Sequence, residues 1–391
     1  MKVAFFSNFL NHHQLPLCLA FKERLGDNFV FVATSSIPEE RLNMKYEDMN
    51  HKYPFVLCSY ESEQNYELSQ KIALEYDVVI IGSAPIEYIE KRMGVGRLTF
   101  RYCERSLKKG LWRRFIPTTY LKIYNQYIKF RKNNLYVLSA SAFTSYDLSL
   151  CGFPADKCYK WGYFPELKVY EDIDEIIKHK RSVNGDTIKL LWVGRLIPLK
   201  RAELAIRLAR ELKLHGFTFH LDIVGNGILY NDLHKQIQKY DLSNFVTLKG
   251  ALTSSETRTL MEKSDIFLFT SNQYEGWGAV INESMNSACA VVCSHVVGSA
   301  PYLIEEGVTG LMYKFDDLNS LYDHVVALIS NQSYRECLAR QAYIKILSEW
   351  NASVAATRFI SLVNSIKENS VVPYKCGPCS MAEVINPCHQ K

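Results

Sequence analysis

Residues 188–202 read Ile188-Lys-Leu-Leu-Trp-Val-Gly194-Arg195-Leu-Ile-Pro-Leu-Lys200-Arg-Ala202. A mostly apolar run ends on a glycine, a polar loop follows, and Ala202–Leu214 then places apolar residues at helical spacing. A near-continuous apolar run is the mark of a strand buried on both faces, and a helix directly after it is the unit from which parallel sheets are wound. The same pattern recurs downstream. Phe219–Gly225 precedes Leu229–Tyr240, Phe245–Gly250 precedes Ser255–Lys263, Ile266–Ser271 precedes a helix near Ala279–Ala288, and Ala290–His295 is one more strand. Thr253-Ser254-Ser255-Glu256 has the spacing of a capping box. These residues predict an α/β domain with helices on both faces of a parallel sheet.

The N-terminal half repeats the logic less regularly. Val3–Ser7 is a predicted strand and Leu15–Leu25 a helix that Gly26 ends; Asn28–Ala33, Tyr53–Cys58, Val78–Gly82 and Leu135–Ser139 are further strands, with a helix over Glu67–Glu75. Lys160–Asp186 is polar, holds Pro165, Asn184 and Gly185, and reads as a linker between two α/β domains. A length of 391 residues suits two domains. Wound sheets bind ligands outside the carboxyl ends of their strands, so two such domains would face each other across a cleft lined by those loops.

Composition excludes several classes. Hydrophobic content of 48% and charged content of 22% are ordinary for a globular chain, and no stretch approaches a membrane span. Eleven cysteines, an odd number at irregular spacing, do not form a disulfide framework. Cys18, Cys58, Cys103, Cys289 and Cys293 read as small core residues in a reducing compartment. The apolar run after Met1-Lys2 stops at Ser7-Asn8, too early for a signal peptide, which predicts a cytoplasmic protein.

Chemistry is sought in the loops. Arg195 and Lys200 share one strand-to-helix loop, where two cations and backbone N–H groups suit a diphosphate; the competing reading is a solvated loop. In Glu275-Gly276-Trp277-Gly278-Ala279-Val280-Ile281-Asn282-Glu283 two carboxylates flank a glycine turn. With a helix starting near Gly278 or Ala279, its first N–H groups would hold a phosphate, Glu283 would meet a ribose diol and Glu275 sugar hydroxyls. Gly225-Asn226-Gly227 and Gly298, Gly307 and Gly310 mark further turns on the same rim.

The order Gly194-Arg195-x4-Lys200, Val224-Gly225-x-Gly227, Val246-x-Leu248-x-Gly250, Glu275-x7-Glu283 resembles glycosyltransferase family 4, of the GT-B fold, over roughly residues 186–360. The resemblance implies a retaining enzyme that uses a nucleotide-diphosphate sugar and needs no metal or other cofactor. It implies that Arg195 and Lys200 stabilise the leaving diphosphate, that Glu283 binds ribose and Glu275 the donor sugar, and that Gly276, Trp277, Gly278 and Ala279 form the turn at the distal phosphate. Gly194 and Gly225 would line the donor site, with Gly250 and Ala251 near the base. The expected organisation is an acceptor domain over 1–165, a donor domain over 186–350, a helix over 351–366 crossing back to the first domain, and a tail over 367–391. The chain departs from the family pattern at Ser7-Asn8, where Gly-Gly is frequent, at Gly82-Ser83-Ala84-Pro85, where a His is frequent, and at Tyr302, where Glu is common.

Asn8 and Asn11-His12-His13-Gln14 lie after the first strand, on the acceptor side. A neutral His13 or His12 could hydrogen-bond a sugar hydroxyl or take the acceptor proton; the alternative is that both merely cap the helix. Lys91–Lys132 carries thirteen Lys and Arg residues against one acid, Glu104, with Trp112 and Phe115 interleaved. Such a segment suits an anionic membrane surface or a phosphate-bearing acceptor, with Arg101 and Glu104 as acceptor-side candidates; a solvated basic face is the competing reading, and no nucleic-acid module accompanies it. Cys376, Cys379, Cys388 and His389 are four soft ligands near the C-terminus, but the adjacent Cys388-His389 lacks zinc spacing and a frayed tail is the expectation.

The resulting expectation is a retaining glycosyltransferase of glycan or glycolipid biosynthesis that acts on a glycan or lipid-linked acceptor, cytoplasmic or peripheral on the inner face of the cell membrane. Its rivals are a nucleotide-sugar epimerase of the same architecture and a catalytically dead glycan-binding protein.

Overall fold

The computed structural model describes residues 1–39 and 47–387. Cys388 and His389, two of the four soft ligands named above, lie outside the described residues. The chain divides into two compact units. Among the described residues, unit 1 is Met1–Glu166 with 351–387, and unit 2 is Leu167–Trp350.

Unit 1 is built on a seven-stranded sheet of β1 (Val3–Ser7), β2 (Phe29–Ala33), β3 (Val56–Cys58), β4 (Val78–Ile81), β5 (Thr99–Cys103), β6 (Leu135–Ser139) and β7 (Cys158–Lys160). Its order is β3-β2-β1-β4-β5-β6-β7, all parallel. Every residue of β1 and β4 is buried, as the unbroken apolar runs require. The strand β5 falls inside the stretch read as a basic segment. Phe100 carries it into the core, edge-on to Phe359 at 4.9 Å. Phe359 belongs to the helix Ala352–Lys367, which packs on the helix Leu15–Leu25 through Phe21 (5.5 Å) and is tied to it by Arg24, whose Nε donates to Thr357 Oγ1 (2.8 Å) and Nη2 to Ser353 Oγ (2.6 Å).

The expected frayed tail is instead ordered against the sheet. Met381 bridges Tyr159 in antiparallel sense, Lys160 N donates to Ser380 O (2.7 Å), Cys379 N to Lys160 O (2.8 Å) and Ala382 N to Cys158 O (2.9 Å). These bonds satisfy the outer edge of β7, whose unpaired N–H and C=O groups would otherwise be open to another strand. Cys379 is buried there and Cys376 exposed. Among the described residues ten cysteines are free thiols.

Unit 2 holds β8 (Ile188–Val193), β9 (Phe219–Val224), β10 (Val246–Gly250), β11 (Ile266–Phe269), β12 (Ala290–Ser294) and β13 (Leu311–Tyr313) in the parallel order β10-β9-β8-β11-β12-β13. The helix Ala202–Leu214 buries its apolar stripe, Leu204, Ala205, Leu208 and Leu212, in the same core as Leu190, Trp192, Leu221 and Ile223. The capping box forms as expected: Thr253 Oγ1 accepts from Glu256 N (3.2 Å) and Glu256 Oε2 from Thr253 N (2.8 Å).

The stretch read as a linker contains the helix Ile173–Asn184, which Asp172 caps and Gly185 ends. Its polarity hid an anchor. Lys180 is buried and donates to the carbonyls of Ser264 (2.8 Å), Ser287 (2.8 Å) and Ala288. One of these is the carbonyl of Ser287, the C-cap of the helix Val280–Asn286, and another that of the next residue, so the ammonium closes the chain just past a helix terminus. Lys180→Met keeps the stem but orphans these acceptors, and is expected to cost about 3 kcal/mol or more of unit 2 stability. Urea unfolding measures it; a loss below about 1 kcal/mol would show that water replaces the ammonium.

Candidate active site

In each sheet the winding direction reverses once, between β1 and β4 in unit 1 and between β8 and β11 in unit 2. Loops diverge at such points and leave a crevice at the carboxyl ends of the strands. In unit 2 the loop after β8 carries Arg195 and Lys200, and the loop after β11 carries Glu275. The two loops are laced together. Asn272 N donates to Leu199 O (3.0 Å), Trp192 Nε1 to Thr270 Oγ1 (2.8 Å), and Thr270 Oγ1 lies 2.8 Å from Lys200 O and 2.9 Å from Arg201 O.

This lacing brings together two residues 75 positions apart. Lys200 Nζ makes an ion pair with Glu275 Oε2, and Ser271 Oγ donates to the same oxygen at 3.0 Å. Both side chains are only 14% exposed, and Lys200 Nζ sits 5.2 Å from the centre of the Phe269 ring. A cation so confined is held in one place and poorly screened. Arg195, by contrast, is exposed and makes no ion pair among the described residues. Its neighbour Arg201 is occupied, with Glu203 and with Asp316 at 2.7 Å.

Two glycines make the crevice possible. Gly225 has φ +140° beside Gly194, and a Cβ on it would lie 1.8 Å from Gly194 O. The loops after β8 and β9 therefore touch backbone to backbone; Gly225 N reaches across to Gly250 O (2.8 Å). Gly278 has φ +86°, and a Cβ there would strike the Phe269 ring at 2.7 Å. Gly276 is buried just before it, and Ala251 is exposed beyond β10.

The helix after the glycine turn is Val280–Asn286, preceded by Ala279 in the αR region. It is one residue later and shorter than the spacing predicts. Within the turn expected at the distal phosphate, the Trp277 side chain faces the interior. Its indole is 1% exposed, donates to Asn282 Oδ1 (2.9 Å) and packs against Tyr302 and Trp350. Ser299 Oγ donates to its carbonyl (2.6 Å). The side chain is a core plug that fixes the turn, and only its backbone is left for a ligand. Glu283 is partly buried and its carboxylate makes no hydrogen bond among the described residues. Burial raises its pKa, with the charge of Arg258 opposing. Arg258 itself donates to the Glu283 carbonyl (2.9 Å) and Asn286 Oδ1 (3.1 Å).

In unit 1 the loops after β1 and β4 approach closely: a Cβ on Gly82 would lie 3.3 Å from Ser7 Oγ. Ser7 Oγ donates to Asn8 Oδ1 (3.2 Å), and Gln14 Nε2 to Ser7 Oγ (3.2 Å). Asn11 Oδ1 accepts from the backbone of His13 (3.0 Å) and Gln14 (3.2 Å) and so braces the turn that leads into the helix Leu15–Leu25, whose N-cap Gln14 makes no side-chain capping bond. The His12 and His13 rings lie 3.8 Å apart, and His13 meets Tyr163 edge-on at 6.0 Å. Tyr163 OH donates to Glu104 Oε1 (3.0 Å), and Lys108 Nζ approaches Glu104 Oε2 (3.4 Å). Arg101 Nη1 donates to Gly82 O (2.7 Å). The acceptor-side candidates thus converge at one end of the sheet, linked by Tyr163, which the sequence did not mark.

The basic segment is less exposed than its composition implies. Arg92 is fully buried, donating to Thr99 Oγ1 (2.8 Å), Tyr76 O (3.1 Å) and Leu98 O (2.5 Å), and burial pulls its pKa down to about 9. Arg105 is buried against Asp147 in a two-pronged pair at 3.2 and 3.0 Å. Both charges are largely taken up by these partners. Trp112 and Phe115 are 61% and 74% exposed. No helix among the described residues is long and apolar enough to cross a membrane.

Two wound parallel sheets with these orders define a GT-B fold. Anabaena HepE solved with UDP superposes with a TM-score of 0.71, covering 93% of this chain and 100% of that one at 17% identity, and a sucrose-phosphate synthase of Thermosynechococcus elongatus with 0.63 over 95% and 100% at 13% identity. At such identities the likeness is one of fold. Residues 173–345 match the sequence profile described as "Glycosyl transferases group 1". A putative colanic acid biosynthesis glycosyltransferase, WcaL, of Salmonella typhimurium is 27% identical over 195 residues, 48% of each chain. The N-acetylgalactosamine-N,N'-diacetylbacillosaminyl-diphospho-undecaprenol 4-alpha-N-acetylgalactosaminyltransferase of Campylobacter jejuni is 30% identical over 153 residues, 39% of this chain and 40% of that one. The chain spans about half the length or less of these curated relatives.

Proposed function

We propose that the protein is a retaining glycosyltransferase of family 4 that moves a sugar from a nucleotide-diphosphate donor, held by unit 2, to a glycan or lipid-linked acceptor, held by unit 1. The observation that carries this reading is the largely enclosed Lys200–Glu275 pair at the reversal point of the second sheet, with Arg195 on the same loop as Lys200 and Glu283 on the helix that follows Glu275. Such a crevice offers two cations for a diphosphate, a desolvated carboxylate for a ribose diol, and a second carboxylate for sugar hydroxyls. The glycosyltransferase relatives support it, and the diphospho-undecaprenol acceptor in the Campylobacter relative's name supports a lipid-linked acceptor.

In the reaction the bond from the sugar's anomeric carbon to the phosphate oxygen breaks. A bond to the acceptor oxygen forms on the same face, and the acceptor proton leaves with the diphosphate. Negative charge grows on the leaving oxygen, and Arg195 and Lys200 meet it without protein reorganisation. No protein nucleophile and no metal enter this scheme. The exposed Trp112 and Phe115, set among cations, favour a peripheral site of action on an anionic cytoplasmic membrane face.

A panel of nucleotide sugars, scored for acceptor-dependent release of free nucleotide, tests the activity. Conversion of the sugar without nucleotide release would identify an epimerase, and no turnover with retained glycan binding a dead site. Arg195→Ala is expected to weaken nucleoside-diphosphate binding about tenfold to a hundredfold, since a hydrogen bond to a charged group contributes roughly 1.5 to 3 kcal/mol, and to spare the nucleoside. Calorimetry with both ligands checks it; equal losses would place Arg195 away from phosphate.

A further inference from the structure

The chain between β5 and β6 folds a concave basin of about 470 Å³ into the surface of unit 1. Its lining includes Lys108, Lys109, Arg113 and Lys122, with Thr118 and Thr119, and Arg105, whose charge is met by Asp147. No carboxylate lines it. Lys108 shares Glu104 at 3.4 Å, whereas Lys109, Arg113 and Lys122 make no ion pair among the described residues. Four like charges around one concavity repel each other, and a hollow surface focuses their field toward its centre.

The basin is also built rather than loose. Its floor is the loop after Glu104, and Asp147 fixes that loop from beneath. The carboxylate takes two bonds from Arg105 and one from Leu107 N (2.8 Å), while the Arg105 guanidinium lies 5.2 Å from the Phe143 ring centre. Lys108 and Lys109 stand on this fixed base, and Lys122, Thr118 and Thr119 come from the helix Pro117–Gln126 opposite. Several cations spread around a volume of about 470 Å³, with Thr118 and Thr119 beside them, suit a group that carries anionic oxygens on more than one centre.

We propose that this basin is a diphosphate-binding site of unit 1, distinct in its residues from the donor crevice of unit 2. It is, if the proposed function holds, the place that receives the diphosphate through which the acceptor sugar is carried.

The test is calorimetric titration of the full chain with inorganic pyrophosphate in the presence of saturating UDP, so that the donor crevice is occupied. The wild type is expected to bind one pyrophosphate, and inorganic phosphate more weakly. Lys109→Ser/Arg113→Ser/Lys122→Ser is expected to bind pyrophosphate at least about tenfold more weakly, with UDP affinity and Tm unchanged. Arg114→Ser, which removes a charge outside the basin, is expected to bind as wild type. A soluble short-chain prenyl diphosphate should compete with pyrophosphate. Equal pyrophosphate affinity in wild type and triple variant overturns the proposal. So does binding of phosphatidylglycerol vesicles that the triple variant loses but pyrophosphate does not compete for, because the charges then serve a membrane diffusely. Failure of UDP to bind would strike the donor reading alone, since the comparison of wild type with the triple variant still reports on the basin.

Discussion

Lys200→Ala is expected to slow sugar transfer by about two to three orders of magnitude, the loss seen when one pre-aimed stabiliser of developing charge is removed. The expectation rests on confinement. The ammonium is held by Glu275, backed by the Phe269 ring and only 14% exposed, so it meets the leaving phosphate without having to be ordered or stripped of much water. The variant also strands Glu275, which keeps only its bond from Ser271. Because the two side chains act as a unit, Lys200→Ala/Glu275→Ala should be little worse than either single change. Single-turnover rates for the four proteins, with nucleotide affinity measured alongside, decide the matter. A Lys200→Ala rate within about threefold of wild type would mean that the lysine only braces the loop.

Gly225→Ala is expected to be the most damaging single methyl group in the molecule, lowering stability by about 3 to 5 kcal/mol and abolishing nucleotide binding. Two penalties coincide at this position. The φ of +140° is strained for any residue with a Cβ, and that Cβ would overlap Gly194 O at 1.8 Å. Relief requires the loops after β8 and β9 to separate, which carries Arg195 and Lys200 with them. Gly216→Ala is the control. Its φ of +76° is also left-handed, but nothing lies within 4 Å, so only the backbone penalty of about 1 kcal/mol applies. Thermal unfolding of both variants separates collision from conformation; similar losses would show that the loops yield readily.

The second sheet was legible because its strands are mostly apolar runs, β8 and β9 each closed by a turn glycine, and because helices such as Ala202–Leu214 follow soon after. The first sheet was harder. Thr99-Phe-Arg-Tyr-Cys is a strand with Arg101 and Tyr102 in it, and its neighbours' charges masked Phe100. Local charge likewise made a linker of Ile173–Asn184, whose Lys180 lies in the interior. Among site residues, the spacing of Arg195, Lys200, Glu275 and Glu283 could be read directly. The pairing of Lys200 with Glu275 could not, since it depends on β8 lying beside β11. Trp277 shows the limit of a motif: it places a residue in a turn, yet the direction of its side chain is set by packing against Tyr302 and Trp350. Tyr163 and the buried Arg92 and Arg105 were invisible for the same reason, their roles being set by residues distant in sequence.

The interleaving of the two units imposes an order on synthesis. The first segment of unit 1 precedes unit 2, but its core lacks Phe359 and the edge of β7 lacks its cover until residues 351–382 have been translated. Unit 2 is continuous in sequence and can close while the ribosome is still at work. The first half of the polypeptide must therefore wait, with an open flank and an unfilled aromatic socket, for a segment made after the whole of unit 2. During that interval it is the part of the nascent chain most exposed to mispairing and most in need of a chaperone.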